Sequence, residues 1–168
     1  MRTDMHGLAN KKIFIFVGFP GSGKSTFAKT LSTKFGCEYF SSDQVREKLF
    51  NSERYDTRGH KDIQDFRRVA YEYIYAFALK SVLGGRKAVI DATNLRTKTR
   101  RKAVQILLKK LRHGDLCFVV VDTPRQVMGK RMKKLATEQV KNVSTYKEWK
   151  RVISEFDKEM EQGLLSWP

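Results

Sequence analysis

A short apolar run, Lys12 to Val17 (KIFIFV), delivers the chain into Gly18-Phe19-Pro20-Gly21-Ser22-Gly23-Lys24-Ser25, and no other segment restricts the fold as tightly. The pattern G-x-x-x-x-G-K-[ST] is met at every defined position. Its glycines let consecutive backbone N–H groups turn inward and meet an anion without a Cβ in the way. Beyond Lys24 the apolar residues Phe27, Ala28, Leu31 and Phe35 keep helical spacing as far as Gly36. Helix onset at Gly23–Lys24 therefore adds the positive end of a helix dipole to the same loop. By average composition, such a match arises by accident in about one chain in a few hundred of this length. The strand before it and the amphipathic helix after it reduce that further. Strand, loop and helix together predict a cradle for the phosphates of ATP or GTP, lined by Gly21, Ser22, Gly23, Lys24, Ser25 and Thr26. Lys24 is expected to reach the β and γ phosphates, and Ser25 to ligate Mg2+.

The rest of the chain repeats the alternation. Short β-type runs stand at 38–40, at Lys87 to Asp91 (KAVID) and at Leu116 to Val121 (LCFVVV). Between them, Ile63, Phe66, Ala70, Tyr73, Ile74 and Phe77 form a helical stripe closed by Gly84-Gly85. Thr97 to Leu111 predicts a helix with Ala103, Val104, Leu107 and Leu111 inward, Pro124 opens another, and 145–160 predicts a last one. Strands alternating with helices imply an α/β fold, a parallel sheet covered on both faces. Parallel sheets place ligand sites at the carboxyl ends of their strands. The loops after Val17, Phe40, Asp91 and Val121 are expected to converge there. With 168 residues and no linker-like stretch, one domain is expected over 12–168, preceded by a flexible segment 1–11.

Composition narrows the partners. Net charge is +16, and it is unevenly spread: Arg96 to Arg151 holds 17 Lys and Arg against four acids, a net of +13. Such asymmetry points to a face that meets a polyanion, DNA or RNA. The plainer reading is a solvated surface plus the cations that ATP itself requires. No apolar run approaches the roughly 18 residues of a membrane span, and the polar start lacks an apolar signal core, so a cytoplasmic protein is expected. Cys37 and Cys117 stand far apart, and His6, His60 and His113 are scattered, which argues against both a disulfide framework and a zinc cluster.

A hydrolytic ATPase needs a carboxylate to position water, commonly a Glu directly after the second-strand Asp; here Asp91 is followed by Ala92. Transfer to a bound hydroxyl instead requires a base for the acceptor and cations to balance developing charge. Asp43, in Ser41-Ser42-Asp43-Gln44-Val45-Arg46, is the candidate base, with Arg46 one helical turn further on the same side. The alternative is that Ser42 or Asp43 merely caps the following helix.

GFPGSGKSTFA, SSDQVR and VIDATNL together resemble the polynucleotide 5′-hydroxyl kinase branch of P-loop kinases, including kinase domains of phage and bacterial end-healing enzymes. The resemblance covers roughly residues 12–135. It implies a central parallel sheet of four or five strands, Mg2+-ATP as donor, and an acceptor strand bound opposite the nucleotide. Lys24 and Ser25 become the phosphate and Mg2+ residues, Asp43 the general base, and Arg46 the grip on the acceptor's neighbouring phosphate. Asp91, Thr93 and Asn94 would line the acceptor side of the γ phosphate, with Asp91 acting through metal-bound water, and Arg96 would follow them. Family lids carry arginines one turn apart; within a lid at about 124–142, Arg131 fits the first. Leu135, preceded by Lys134, stands where many relatives have the second. Arg125 or Lys134 could substitute, although lysine does not reproduce the bidentate fork of arginine.

On the acceptor side, Arg96, Lys98, Arg100, Arg101 and Lys102 could track a sugar-phosphate backbone, and Tyr71, Tyr73 and Tyr75 could stack on bases, with core packing the competing role for Tyr73. The expected activity is transfer of the γ-phosphoryl group to a hydroxyl of DNA or RNA, most simply the 5′ end. Three rivals stay open: a kinase of hydroxymethylated pyrimidine in phage DNA, which would make the chain virus-encoded and active in a host cytoplasm; a small-molecule nucleoside or sugar kinase; and a nucleotide-binding regulatory protein.

Overall fold

Strands form where the apolar runs are densest. In the computed structural model, residues 6–50, 62–138, 150–151, 153–154 and 158 are described. Strands β1 (Ile13–Val17), β2 (Cys37–Ser41), β3 (Lys87–Asp91) and β4 (Leu116–Val120) alternate with helices α2 (Lys24–Phe35), α3 (Ser42–Phe50), α4 (Asp62–Leu83), α5 (Thr97–Leu107) and α6 (Arg125–Glu138), after a single turn α1 (His6–Ala9). The four strands are parallel in the order β2-β3-β1-β4. Register sets Ile13 beside Ala88 and Leu116, and Ser41 beside Asp91.

Alternation along β1 separates two cores. Ile13 and Ile15 face α4 and α5, packing with Ile74, Tyr75, Ala78, Ile90, Ala103 and Leu107. Phe14 and Phe16 face α2, packing with Ala28, Leu31, Cys37 and Val89. A third cluster closes the carboxyl end of the sheet, where Val17, Phe19, Leu95, Met128 and Ile153 meet. Burial on both faces explains why β1 reads as a continuous apolar run rather than an alternating one.

Connections out of the two central strands run in opposite directions. From β1 the chain passes through α2 to β2, two places one way; from β3 it passes through α5 to β4, two places the other way. Neighbouring strands whose loops diverge leave a crevice at their carboxyl ends, and ligands bind in such crevices. The glycine loop after β1 and the 92–96 segment after β3 are the two loops at that point.

Several boundaries and faces differ from the sequence reading. In α4 the described buried positions are Ala70, Ile74, Tyr75, Ala78, Ser81 and Val82, whereas Tyr73 and Phe77 are 44% and 45% exposed and pack on each other, and the side chains of Ile63 and Phe66 lie outside the described set. The helix is apolar on more than one side, so periodicity alone did not define its inward face. Phe27 of α2 is likewise exposed, although its ring meets Phe16 edge-on. Helix α5 ends at Leu107, and a looser turn carries the chain to Leu111. Residues 6–9, within the segment expected to be flexible, form a turn whose Ala9 carbonyl accepts a hydrogen bond from Lys87 Nζ. Residues 139–142 of the expected lid lie outside the described set, as does most of the 145–160 helix, including Trp149. Among the described residues, no helix is long and apolar enough to cross a membrane.

Candidate active site

The glycine loop is built by backbone and held by neighbours. Gly21 and Gly23 take φ values of 81° and 92°, in the left-handed region that favours glycine. At Gly18 the constraint is space: a Cβ would stand 2.7 Å from the Val121 carbonyl oxygen. Gly23 is the N-cap of helix α2 and offers no side-chain cap. The first N–H groups of the helix are thus left for an anion, where the helix dipole also favours negative charge. Ser22 Oγ is buried without a hydrogen-bond partner. Buried hydroxyls are normally satisfied, and a phosphate oxygen is a partner of the right kind.

Straps from two other segments fasten this loop. Gly18 N–H donates to the Thr93 carbonyl at 3.1 Å. Thr123 Oγ1 donates to the Ser22 carbonyl at 2.8 Å, and Arg131 of α6 donates to the same carbonyl at 3.0 Å. The Arg125 guanidinium lies over the Phe19 ring, 3.8 Å from its centroid, a cation–π contact. Of the two candidates for a second lid arginine, Arg125 thus sits at the phosphate loop, and Lys134 is exposed on α6.

Lys24 is 8% exposed and donates from Nζ to the Phe19 carbonyl at 2.8 Å. Burial lowers its pKa to about 8, and the carboxylates of Asp91 and Asp43 oppose that shift. The structure therefore brings Lys24, Asp91 and Asp43 into one electrostatic neighbourhood from three separate segments. Asp91, 4% exposed at the end of β3, accepts a hydrogen bond from the Tyr39 hydroxyl at 2.5 Å. That phenol is pushed well up, first by burial, then by the hydrogen bond to Asp91 and its charge; the hydroxyls of Ser41 and Ser25 pull the other way. Asp43 lies exposed in the first turn of α3, and its N–H donates to Ser41 Oγ at 3.2 Å. The hydroxyl that caps α3 is thus that of Ser41, one place before the Ser42 or Asp43 considered for that role.

The remaining expected residues divide by burial. Ser25 and Thr26 are exposed at the start of α2. Arg46 lies in α3 one turn after Asp43, and its side chain is outside the described set, as is that of Leu135. Thr93 enters the site through its backbone carbonyl. Asn94, expected on the acceptor side, is 1% exposed: its Oδ1 accepts from Tyr75 and its Nδ2 donates to the Phe16 carbonyl at 2.9 Å. It also holds a positive φ of 48°. Its side chain ties the post-β3 loop to β1 and α4. Arg96 is exposed at the N-cap of α5. Arg100, read from sequence as part of a cationic track, is buried and donates to the Asn94 and Leu95 carbonyls. Tyr75, considered as a stacking platform, is fully buried.

Tyr39 and Thr123 went unnoticed in the sequence. Each is an ordinary strand or loop residue there, and only sheet order and the packing of α6 bring them to the loop. Among the described residues no group of three or more His, Cys, Asp or Glu could hold a metal. The donors at hand, the Ser25 hydroxyl and the Asp91 carboxylate, are hard oxygens. That set fits Mg2+, which takes one or two protein oxygens and completes its shell from phosphates and water.

A family profile described as an AAA domain matches residues 13–158. No curated protein matches the sequence. Among solved structures, a chain of the Pnkp1/Rnl/Hen1 RNA repair complex is 22% identical, with a TM-score of 0.64, over 90% of this chain and 46% of that one. A gluconokinase from Sinorhizobium meliloti 1021 is 18% identical, with a TM-score of 0.52, over 74% of this chain and 65% of that one. The APS kinase CysC of Mycobacterium tuberculosis is 20% identical, with a TM-score of 0.52, over 68% of this chain and 78% of that one. At these identities the likeness establishes the fold alone, a parallel α/β sheet flanked by helices. This chain also spans less than half of the RNA repair protein chain it resembles.

Proposed function

The chain belongs to this AAA-domain family, and from that premise we propose that it is an ATP- and Mg2+-dependent kinase acting on a hydroxyl of DNA or RNA, most simply the 5′-hydroxyl end. One observation carries the transfer chemistry: a buried Lys24 in a strapped phosphate loop, flanked by the carboxylates of Asp91 and Asp43. A loop meant only to hold nucleotide has no need of an exposed carboxylate at its open side.

Backbone N–H groups of Gly21 to Ser25 and the Lys24 ammonium bind the β and γ phosphates. Ser25 and Asp91 would hold Mg2+, which would neutralise charge on the nucleotide's phosphate oxygens. Asp43 accepts the proton of the acceptor hydroxyl as its oxygen bonds to the γ phosphorus and the bond to the β,γ-bridging oxygen breaks. Arg131 stabilises the equatorial oxygens, and Arg46 and Arg96 grip the acceptor's phosphates. Thr93 and Asn94 shape the acceptor wall, Asn94 through the loop it holds. This division leaves nucleotide as product on one side and a new phosphomonoester on the other.

Support for a polyanionic acceptor comes from the net of +13 between Arg96 and Arg151 and from the likeness to a chain of an RNA repair complex. The gluconokinase and APS kinase likenesses favour a small acceptor instead. The test is phosphate transfer from γ-labelled ATP to three acceptors: a 5′-hydroxyl oligonucleotide, DNA containing hydroxymethyluracil, and mixed nucleosides. Label on the oligonucleotide end, with binding that weakens steeply as salt rises, is the expected result. Label on nucleosides alone overturns the polynucleotide reading, and label within hydroxymethyluracil DNA alone moves the acceptor to the base.

A further inference from the structure

Strand β2 is at the edge of the sheet, one place beyond β3 and two from the glycine-loop strand β1. It nonetheless sends one side chain into the phosphate site. Along β2, Tyr39 faces the α2 side, packed against the cluster that contains Phe14, Phe16 and Leu31, whereas Phe40 faces the opposite core. Register pairs Tyr39 with Val89 and Ser41 with Asp91. The phenol thus spans from its own place in the sheet to the carboxylate at the strand end, bonding Asp91 Oδ2 at 2.5 Å. The hydroxyls of Ser25, in the first turn of α2, and of Ser41 stand close enough to pull the phenol's pKa down against burial. Ser41 in turn accepts the N–H of Asp43.

We propose that Tyr39 is a positioning residue that sets Asp91, and with it the neighbouring Ser25, for the metal ion. The inference rests on the kinase reading for its metal and nucleotide, and adds a residue to it. Its logic is proton placement. A serine oxygen that coordinates a cation must direct its proton elsewhere, and the neighbouring phenol oxygen keeps lone pairs to accept it. The phenol's own proton is committed to Asp91 Oδ2, which leaves Oδ1 for metal-bound water. Such outer partners fix the orientation of the groups that touch a metal. Tyrosine alone combines the needed reach with a hydroxyl that donates and accepts at once. Phenylalanine keeps the ring packed under α2 and removes only this function.

The test is metal-dependent nucleotide binding by the full chain, followed with a fluorescent ATP analogue while Mg2+ is titrated. Tyr39→Phe is expected to raise the Mg2+ concentration for half-saturation about tenfold, the usual scale for an outer-shell partner. Binding of the analogue without metal should change less than about twofold, because backbone and Lys24 carry it. In an Asp91→Asn background the same substitution should add less than about twofold, since two groups acting as a unit are non-additive. Tyr39→Met, smaller but adaptable in packing and also lacking the hydroxyl, supplies the same measurement if the Phe variant is poorly folded. An unchanged Mg2+ midpoint, fully additive effects, or wild-type binding that ignores Mg2+ overturns the proposal. Transfer to none of the three acceptors, with the Mg2+ shift intact, overturns the polynucleotide reading instead and leaves Tyr39 in its role.

Discussion

The two sides of the crevice are built differently. On the donor side the glycine loop is held from several directions: Thr93 at Gly18, Thr123 and Arg131 at the Ser22 carbonyl, and Arg125 on Phe19. On the side proposed for the acceptor, Asp43 lies exposed in the first turn of α3, with its backbone N–H bonded to Ser41. The contrast follows from the chemistry each side must do. Phosphoryl transfer is mostly positioning and charge balance, so the nucleotide's cradle gains from being set before substrate arrives. The base proposed for the acceptor has to be open to a substrate that enters and leaves, and Asp43 stands on an accessible helix turn.

Predictions divide along the same line. The largest effect is expected at Asp43. Asp43→Ala should lower kcat by about a thousandfold, within the range for loss of a general base, while nucleotide affinity from equilibrium titration stays near wild type. Near-normal transfer by that variant removes Asp43 from the chemistry and erases the distinction between the two sides.

Next comes the cradle itself. Gly18→Ala places a Cβ 2.7 Å from the Val121 carbonyl oxygen, a backbone atom that cannot swing aside. A loss of about 2 kcal/mol in unfolding free energy is expected, as for other overpacked sites, together with weakened nucleotide binding. Denaturant titration measures the first and fluorescence titration the second. A variant as stable as wild type would show the cradle to be softer than its straps suggest.

A third effect concerns protons. The Lys24 pKa, lowered from 10.5 to about 8 by burial, leaves much of the lysine neutral just above that pH. Phosphate favours the charged form, so binding above pH 8 takes up a proton. Affinity should fall by about tenfold per pH unit once Lys24 is mostly neutral. Calorimetry in buffers of different ionisation heat measures that uptake. The sign for stability is opposite: between about 8 and 10.5 the unfolded chain holds more protons at this lysine than the folded one. Its contribution to stability therefore rises with pH across that window. The smallest effect is expected for Thr123→Val, which removes one strap and should weaken nucleotide binding about fivefold, the worth of one hydrogen bond. Unaltered binding would place the stiffness of the loop in Gly18 and Arg131 instead.

How much of this was legible in the sequence depended on whether the information was local. The glycine loop, KAVID as a strand and the start of α5 at Thr97 follow from residues adjacent in the chain, and each stands where it was expected. The faces of α4 do not. Tyr73 and Tyr75 differ only by two places in one helix, yet one is exposed and the other is buried against Asn94. The separation of Arg100 from its exposed cationic neighbours was also hidden, because a guanidinium reads as surface charge until the loop carbonyls it serves are brought beneath it.

By itself, then, the sequence determined a phosphate-binding strand–loop–helix, a parallel α/β sheet and a basic half, since these rest on periodicity, backbone freedom and charge count. Tertiary structure alone decided which residues share the site. Inserting β3 between β1 and β2 brings Asp91 beside the loop and within reach of Tyr39, 52 positions away in the chain. Strand order is settled by how two buried faces of a twisted sheet are covered, a property of the whole packed layer that no local pattern encodes.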